Sequence, residues 1–321
     1  MARYILRRLL WMIPIILGVS VLVFTLMYFC PGDPARIILG QGATAAEIAS
    51  LQETMGLNRG YFPRLFEFLT DTFVHFDLGS SYISNAPIAK EIAARLPQTL
   101  ILATLFMCAG LLFGVPLGIA AAVKQDSLID RFCMILALLG ASMPNFWLAL
   151  LLVLLFAVRL GWLPPMGIGG IEYYILPTLS GAMGAIAVQA RQSRSSMLEV
   201  IRSDYMTTAR SKGVSGKNVI LKHGLPNALI PVITCAGNEF GSSLGGALII
   251  EQIFSIPGMG TYMVQAVFNR DYPVVQASAI FMAISFSLIM LLIDLMYAFV
   301  DPRIKAQYEG KPLFKKKAKE A

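Results

Sequence analysis

Charge is what this sequence has least of. Asp, Glu, Lys and Arg make up 14% of its 321 residues, against about a quarter in soluble domains. A chain so poor in charge cannot cover a folded body with polar surface, which excludes an ordinary soluble domain and leaves the bilayer as its solvent. Histidine is nearly absent: His75 and His223 are the two copies. The four cysteines, Cys30, Cys108, Cys133 and Cys235, lie in or beside apolar runs with no C-x-x-C spacing, so they read as small apolar fillers rather than a disulfide framework or zinc site. No Cys, His, Asp and Glu cluster with metal-ligand spacing, so no metal is expected. A phosphate loop is also missing. Gly213-Val-Ser-Gly216-Lys217-Asn218 hints at one, but Ser211 stands where the first glycine belongs and Asn218 where Ser or Thr would hold magnesium. The chain is therefore expected to bind no cofactor and no nucleotide. The net charge of +7 does not point to nucleic acid, because the basic residues sit beside apolar spans.

What is there is apolar. Hydrophobic residues reach 56% and the mean hydropathy is +0.68. Six runs approach the roughly 20 residues a span needs: about Leu9–Phe29, Thr99–Val123, Phe132–Val158, Ile175–Ala190, Ala228–Ile250 and Val274–Val300. The fold class is all-α, a polytopic membrane protein forming one membrane domain over 1–321. The first run is too long for the cleaved apolar region of a signal peptide, about 7–15 residues, and is read as a retained helix. The N-terminal tail, the second-to-third connection, the fourth-to-fifth loop and the C-terminal tail hold 19 of the 26 Lys and Arg residues. Positive-inside therefore places both termini, the loop over 191–227 and the basic tail over 301–321 in the cytoplasm of a cell with an inner or plasma membrane. The tail either meets anionic lipid headgroups or is a solvated end.

The external segment over 30–98 carries helical signals of its own. Thr44-Ala-Ala-Glu47 has the spacing of a capping box, 61–76 repeats aromatics at helical intervals, and 87–96 reads as another short helix. Gly110, Gly114 and Gly118 share one face of the second span, and Gly237, Gly241 and Gly245 one face of the fifth. Such stripes let helix backbones approach closely in lipid, and packing is the default reading for both, with a pathway lining as the alternative. Pro116 is expected to kink the second span. Gly241-Ser242-Ser243-Leu244-Gly245 matches a hydrolase nucleophile pattern, but it lies in a membrane helix with no histidine beside it, so Ser243 is not read as a nucleophile. Intramembrane polar and ionisable groups are functional candidates by default. Asn238, Glu239, Ser242 and Glu251 are the substrate-pathway candidates. Asp294 reads as a structural hydrogen-bond partner, and Glu239 fits either role. An ion-coupled secondary transporter relying on Glu239, Glu251 or Asp294 is the competing transport reading.

The loop over 191–227 is too patterned to be a linker. Met197, Val200, Ile201, Tyr205 and Ala209 recur at helical spacing through 196–210, Gly213 offers a stop, and a second helix resumes with Ser215 as its cap. A helix–glycine–helix that is basic on its outside suits either a protein partner or the lipid surface.

Wording then separates the two. Thr208-Ala209-Arg210-Ser211-Lys212-Gly213, followed by His223-Gly224-Leu225-Pro226-Asn227-Ala228, resembles the EAA loop of ABC-importer permeases, with Ala209, Gly213, Leu225 and Pro226 in register. Its departures at Thr207, Thr208 and His223 resemble the oligopeptide/dipeptide/nickel branch. So do Arg7-Arg8, Pro31-Gly32-Asp33-Pro34, 77–80, 95–100, Ser142-Met143-Pro144, 251–260, 270–276 and Asp301-Pro302-Arg303, in that order. The long first external segment resembles the branch's "B"-type permease. This resemblance implies a permease subunit that does no catalysis itself and works with a second permease as a heterodimer. It also implies two cytoplasmic ATPases carrying ATP and magnesium, and an extracytoplasmic substrate-binding protein. Tyr205, Thr208, Ala209, Arg210, Lys212, Gly213, His223, Leu225 and Pro226 would be the ATPase-coupling residues. Family frequency implies di- or oligopeptide as substrate, with nickel chelates or glutathione carried by the same scaffold.

Overall fold

The computed structural model describes residues 2–40 and 42–300, the side chains of 2–4, 246 and 296–300 excepted. The closing Asp301-Pro302-Arg303 and the basic tail lie outside the described residues. Among the described residues regular structure is helical, with one isolated extended bridge between Ser80 and Pro87. The helices are α1 (Ala2–Phe29), α2 (Pro34–Leu39), α3 (Ala45–Thr54), α4 (Tyr61–Phe73), α5 (Ile88–Ala109), α6 (Val115–Val123), α7 (Leu128–Ser142), α8 (Asn145–Leu152), α9 (Glu172–Gly181), α10 (Met183–Ile201), α11 (Asp204–Ser211), α12 (Gly216–Asn218), α13 (Leu225–Ile253), α14 (Met259–Phe268) and α15 (Tyr272–Val300). π-helical turns occupy Gly110–Gly114, Val153–Arg159 and Val219–Gly224.

Among the described residues, four helical runs are long and apolar enough to cross a membrane: Ile5–Phe29, Ile88–Val123, Gly216–Gly245 and Tyr272–Leu295. The pair Leu128–Ser142 and Asn145–Arg159, bent by 96°, makes a fifth if it counts as one span. The expected straight run over 132–158 is thus broken at Met143-Pro144. A proline disfavours helical geometry in the residue before it, and Met143 is extended, with ψ 129°. The expected fourth run, 175–190, is split between α9 and α10 at Ala182, where Pro177 and two nearby glycines weaken the helix. The break is slight: the Ala182 N–H still donates to the Thr178 carbonyl at 2.9 Å. α10 alone falls short of a span because Gln189, Arg191, Gln192 and Arg194 punctuate it.

Pro116 produces no sharp break in the second run. Its missing N–H follows the π-helical turn Gly110–Gly114, and Pro226 stands in the same place after Val219–Gly224. In both places the proline cannot donate to the ladder, and the hydrogen-bond register slips by one residue instead of ending the helix. The segment 87–96, expected as a separate helix, forms the first turns of α5.

The chain divides into two compact units. One comprises Ala2–Gln98 and Pro257–Leu288. Ile88, Ile92, Met259, Ala266, Val274 and Val275 form its core. Its capping box forms as the spacing predicts: the Thr44 N–H donates to Glu47 Oε2 at 2.8 Å and the Glu47 N–H to Thr44 Oγ1 at 3.3 Å. The bonds from Thr44's backbone and then its side chain hold the Glu47 carboxyl below the usual range. Several of the family-like motifs meet in this unit. Asp33 caps α2 through the Ala35 N–H and accepts from Gln52 Nε2 at 2.7 Å. Gly32 has φ +130°, a conformation that side chains rarely adopt, and the Arg270 guanidinium lies where its Cβ would be. Buried Asp271 accepts from Ser81 Oγ at 2.5 Å and from the Tyr82 N–H at 3.0 Å.

The other unit is built on Thr99–Ile256 and the described residues from Ile289. Leu102, Phe106, Leu176, Ile250, Phe254 and Ile256 fill its main core. The glycine stripe of the second run packs against α10. An added methyl group at Gly110 would lie 3.1 Å from Ala185 Cβ, at Gly114 2.8 Å from Gln189 Cβ, and at Gly118 2.7 Å from Ser193 Cβ. Packing, the default reading, holds for this stripe.

Candidate coupling site and pathway face

The loop over 191–227 is built from a broken amphipathic pattern. The helix expected over 196–210 stops at Ile201 and restarts at Asp204, because Ser203 takes the extended conformation of an N-cap. α11 then ends in a Schellman motif. Gly213 has φ +78° and donates to the Arg210 carbonyl at 3.0 Å, while Val214 donates to the Ala209 carbonyl at 3.3 Å. The Ala209-x-x-x-Gly213 spacing thus has a local cause: the glycine supplies the left-handed residue, and Ala209 sits where the returning chain crosses the last turn.

Burial sorts the loop's side chains. Met206 and Val219 are fully buried, and Met197, Ala122 and Ala228 form a small core with Ile220 against it. Gly224 is the joint. A Cβ there would lie 3.0 Å from both the Met197 and Met206 methyl groups. Met206 and Gly224 anchor the loop, and neither was among the expected site residues; a Met in the i+1 shadow of Tyr205 and a glycine inside H-x-L-P were the available signals. Tyr205, Thr208, Arg210, Lys212, Gly213, His223 and Pro226 are exposed, and Ala209 and Leu225 half-buried. The nine expected coupling residues therefore lie on one short segment, seven of them exposed. Ser215 stands at the start of α12 as expected, but its side chain makes no capping bond.

The pathway candidates lie along α13. Asn238 and Ser242 are exposed on one face with Gly245 and Ile249, while Glu239 is half-buried. Gly237 packs on Ile293, and nothing described lies within 4 Å of a Cβ placed on Gly245. Glu251 is fully buried, and Thr99 Oγ1 donates to it at 2.6 Å. Ser243 lies mid-helix, away from any strand-to-helix elbow, and its hydroxyl donates to the Glu239 carbonyl at 2.7 Å.

The sequence matches the family described as binding-protein-dependent transport system inner membrane component over residues 114–306, and the N-terminal counterpart of that family over residues 1–103. The chain belongs to this family of ABC-importer permeases. Its branch is the peptide/nickel one. The glutathione transport system permease protein GsiC of Salmonella paratyphi A is 44% identical over 305 residues, covering 95% of this chain and 99% of that protein. GsiC of Escherichia coli K12 is 43% identical over the same length. Among solved structures, inward-facing MetNI methionine ABC transporter aligns with TM-score 0.58 at 18% identity, covering 67% of this chain and 98% of that one. An amino acid ABC transporter solved with histidines aligns at 0.51 and 20%, covering 65% and 94%. These two likenesses speak to fold alone. The permease is thus a multi-pass bacterial inner-membrane subunit of a binding-protein-dependent importer, a class that works with ATPase and substrate-binding partners. That membership displaces the ion-coupled secondary transporter reading.

Proposed function

We propose that this permease forms half of the membrane pathway of an ATP-driven importer of glutathione or a closely similar small peptide. The observation that carries the substrate is the 44% identity to a glutathione permease across 95% of the chain. Glutathione is itself a tripeptide, so this sharpens the di- or oligopeptide expectation and leaves nickel chelates without a chemical argument. Uptake by the reconstituted importer of labelled glutathione, competed with unlabelled glutathione, dipeptides and a nickel chelate, tests it. Competition by dipeptides but not glutathione would return the assignment to peptides.

In this reading the chain is non-catalytic and a single permease domain, and ATP and magnesium belong to two partner ATPases. Tyr205, Thr208, Ala209, Arg210, Lys212, Gly213, His223, Leu225 and Pro226 seat in a cleft of one ATPase, supported by their exposure around a rigid glycine turn. α9 and α10 together make one crossing and the bent pair another, giving six spans with both termini and the 191–227 loop cytoplasmic. The segment over 30–98 forms an external helical cap that helps dock the binding protein. A second permease completes the pathway along Asn238, Glu239 and Ser242, supported by the exposed polar face of α13, which is unfavourable against lipid alone. Glu251 stands at the end of that line, tied to Thr99.

Gly213→Asp replaces the residue type best suited to a φ of +78° and sets a carboxylate on an exposed segment that carries Arg210 and Lys212. Transport should fall by about tenfold or more, the scale at which coupled sites lose their link, with the permease still present in the membrane. Unchanged ATPase association and transport would sink the coupling assignment.

A further inference from the structure

Arg194, at the start of the 191–227 loop, forms a two-pronged ion pair with Asp130, and neither residue is among the nine coupling residues or on the pathway face. Arg194 Nε donates to Asp130 Oδ1 and Arg194 Nη2 to Asp130 Oδ2, both at 2.7 Å. Asp130 is 4% exposed. The carboxylate does more than meet the guanidinium. Its Oδ2 also accepts the Asp126 N–H at 3.0 Å, and the Asp130 N–H donates to Ser127 Oγ at 3.3 Å. It therefore fixes the tight turn over 124–127 that joins α6 to α7, a turn that holds Asp126 at φ +60°. Arg194 lies on α10 two turns before that helix ends at Ile201 and the chain enters α11. A second bond joins the same two regions: Arg202 Nη2 donates to Gln125 Oε1 at 3.3 Å.

We propose that Asp130 and Arg194 are positioning residues of the transport cycle, a strut that carries displacement of the coupling loop into the turn between the second and third membrane runs. The proposal rests on the reading of 191–227 as the coupling loop. Two features suit the pair to that task. A bidentate guanidinium–carboxylate pair fixes angle as well as distance, which a single ammonium contact does not. Apolar contacts between helices in lipid, by contrast, lack the hydrophobic drive that would hold them against sliding. Met206 of α11 and Met197 of α10 both pack on Gly224, and α10 is held to the 124–127 turn through this pair. A push on α11 thus has a continuous stiff route to the membrane helices.

The test uses the full importer in proteoliposomes, with both permeases, the ATPases and the binding protein, and reads substrate moved per ATP hydrolysed at matched amounts of assembled complex. Asp130→Asn keeps the volume and removes the charge. The ratio should fall by about fivefold, the lower end of the range for coupled sites, while substrate-independent ATP hydrolysis persists. Arg194→Lys keeps the charge and removes the fork, so it should assemble normally and lower the ratio by a smaller amount. If Asp130→Asn does not assemble, Arg194→Lys decides. An unchanged ratio in an assembled Asp130→Asn complex, or in Arg194→Lys alone, overturns the proposal. Gly213→Asp in the same assay separates the two readings. If it uncouples while Arg194→Lys does not, the strut fails and the coupling loop stands. If Gly213→Asp leaves the ratio unchanged, the coupling loop itself is wrong.

Discussion

Two glycine stripes with the same spacing of four meet different neighbours. Gly110, Gly114 and Gly118 are covered by α10, each against a specific small or polar residue: Ala185, Gln189 and Ser193. On α13 the equivalent stripe is only partly used. Gly237 receives Ile293, but Gly245 faces open space and shares its face with Asn238 and Ser242. Spacing alone cannot tell these apart, because a stripe of small residues says only that something can come close. The first stripe is satisfied inside this chain. The second is left open at Gly245, where the proposed second permease would pack.

The largest effect should come from forcing the first stripe apart. Gly118→Leu drives a side chain into Ser193 Cβ and the backbone of α10, beyond the 1–3 kcal/mol or so of ordinary overpacking. Quantitative immunoblotting of membranes should show most of the permease lost. Normal abundance would mean the two helices part more easily than their geometry says. Gly245→Leu should behave in the opposite way. This chain should accumulate normally, since nothing described opposes the new side chain, but co-purification of the second permease or transport should drop severalfold. Retention of both would remove α13 from the shared face. The smallest effect is expected at Gln189, which is 1% exposed and has neither of its side-chain polar atoms hydrogen-bonded among the described residues. Replacing such a group with an apolar one of similar size is near neutral or mildly stabilising. Gln189→Leu should therefore leave the melting temperature of the purified permease unchanged or raise it by a few degrees. A fall would indicate a partner, such as a bound water, that holds the amide.

The legible features were the ones whose cause is local. The Thr44–Glu47 capping box, the aromatic helix from Tyr61 and the turn at Gly213 each depend on residues within one or two turns, and each forms. The first and last long runs were equally plain from apolar length. The break at Ser203 was legible in principle, because Ser203-Asp204 has the form of a helix start, but the amphipathic pattern running through it masked the signal. Pro144 carried the bend between α7 and α8 in the same way, concealed by the apolar residues on both sides. The sequence predicts a kink at Pro116 and gives no sign of the register shifts before Pro116 and Pro226, since it does not reveal whether a helix will break or slip by one residue. The Asp130–Arg194 pair lies 64 residues apart in sequence and had no local signal at all. The proposed coupling residues rest on wording alone, since periodicity leaves lipid and protein partners equal.

The 96° bend has a consequence for how the chain reaches the membrane. Its first arm, Leu128–Ser142, is 15 residues long, and its second, Asn145–Arg159, is of the same length. Each is short of the roughly 20 residues that partition into a bilayer on their own. During synthesis neither arm would leave the insertion channel as an independent segment, so the pair has to enter lipid together or wait beside a neighbouring helix that shields it. The order in which helices emerge would then be part of how this permease acquires its fold.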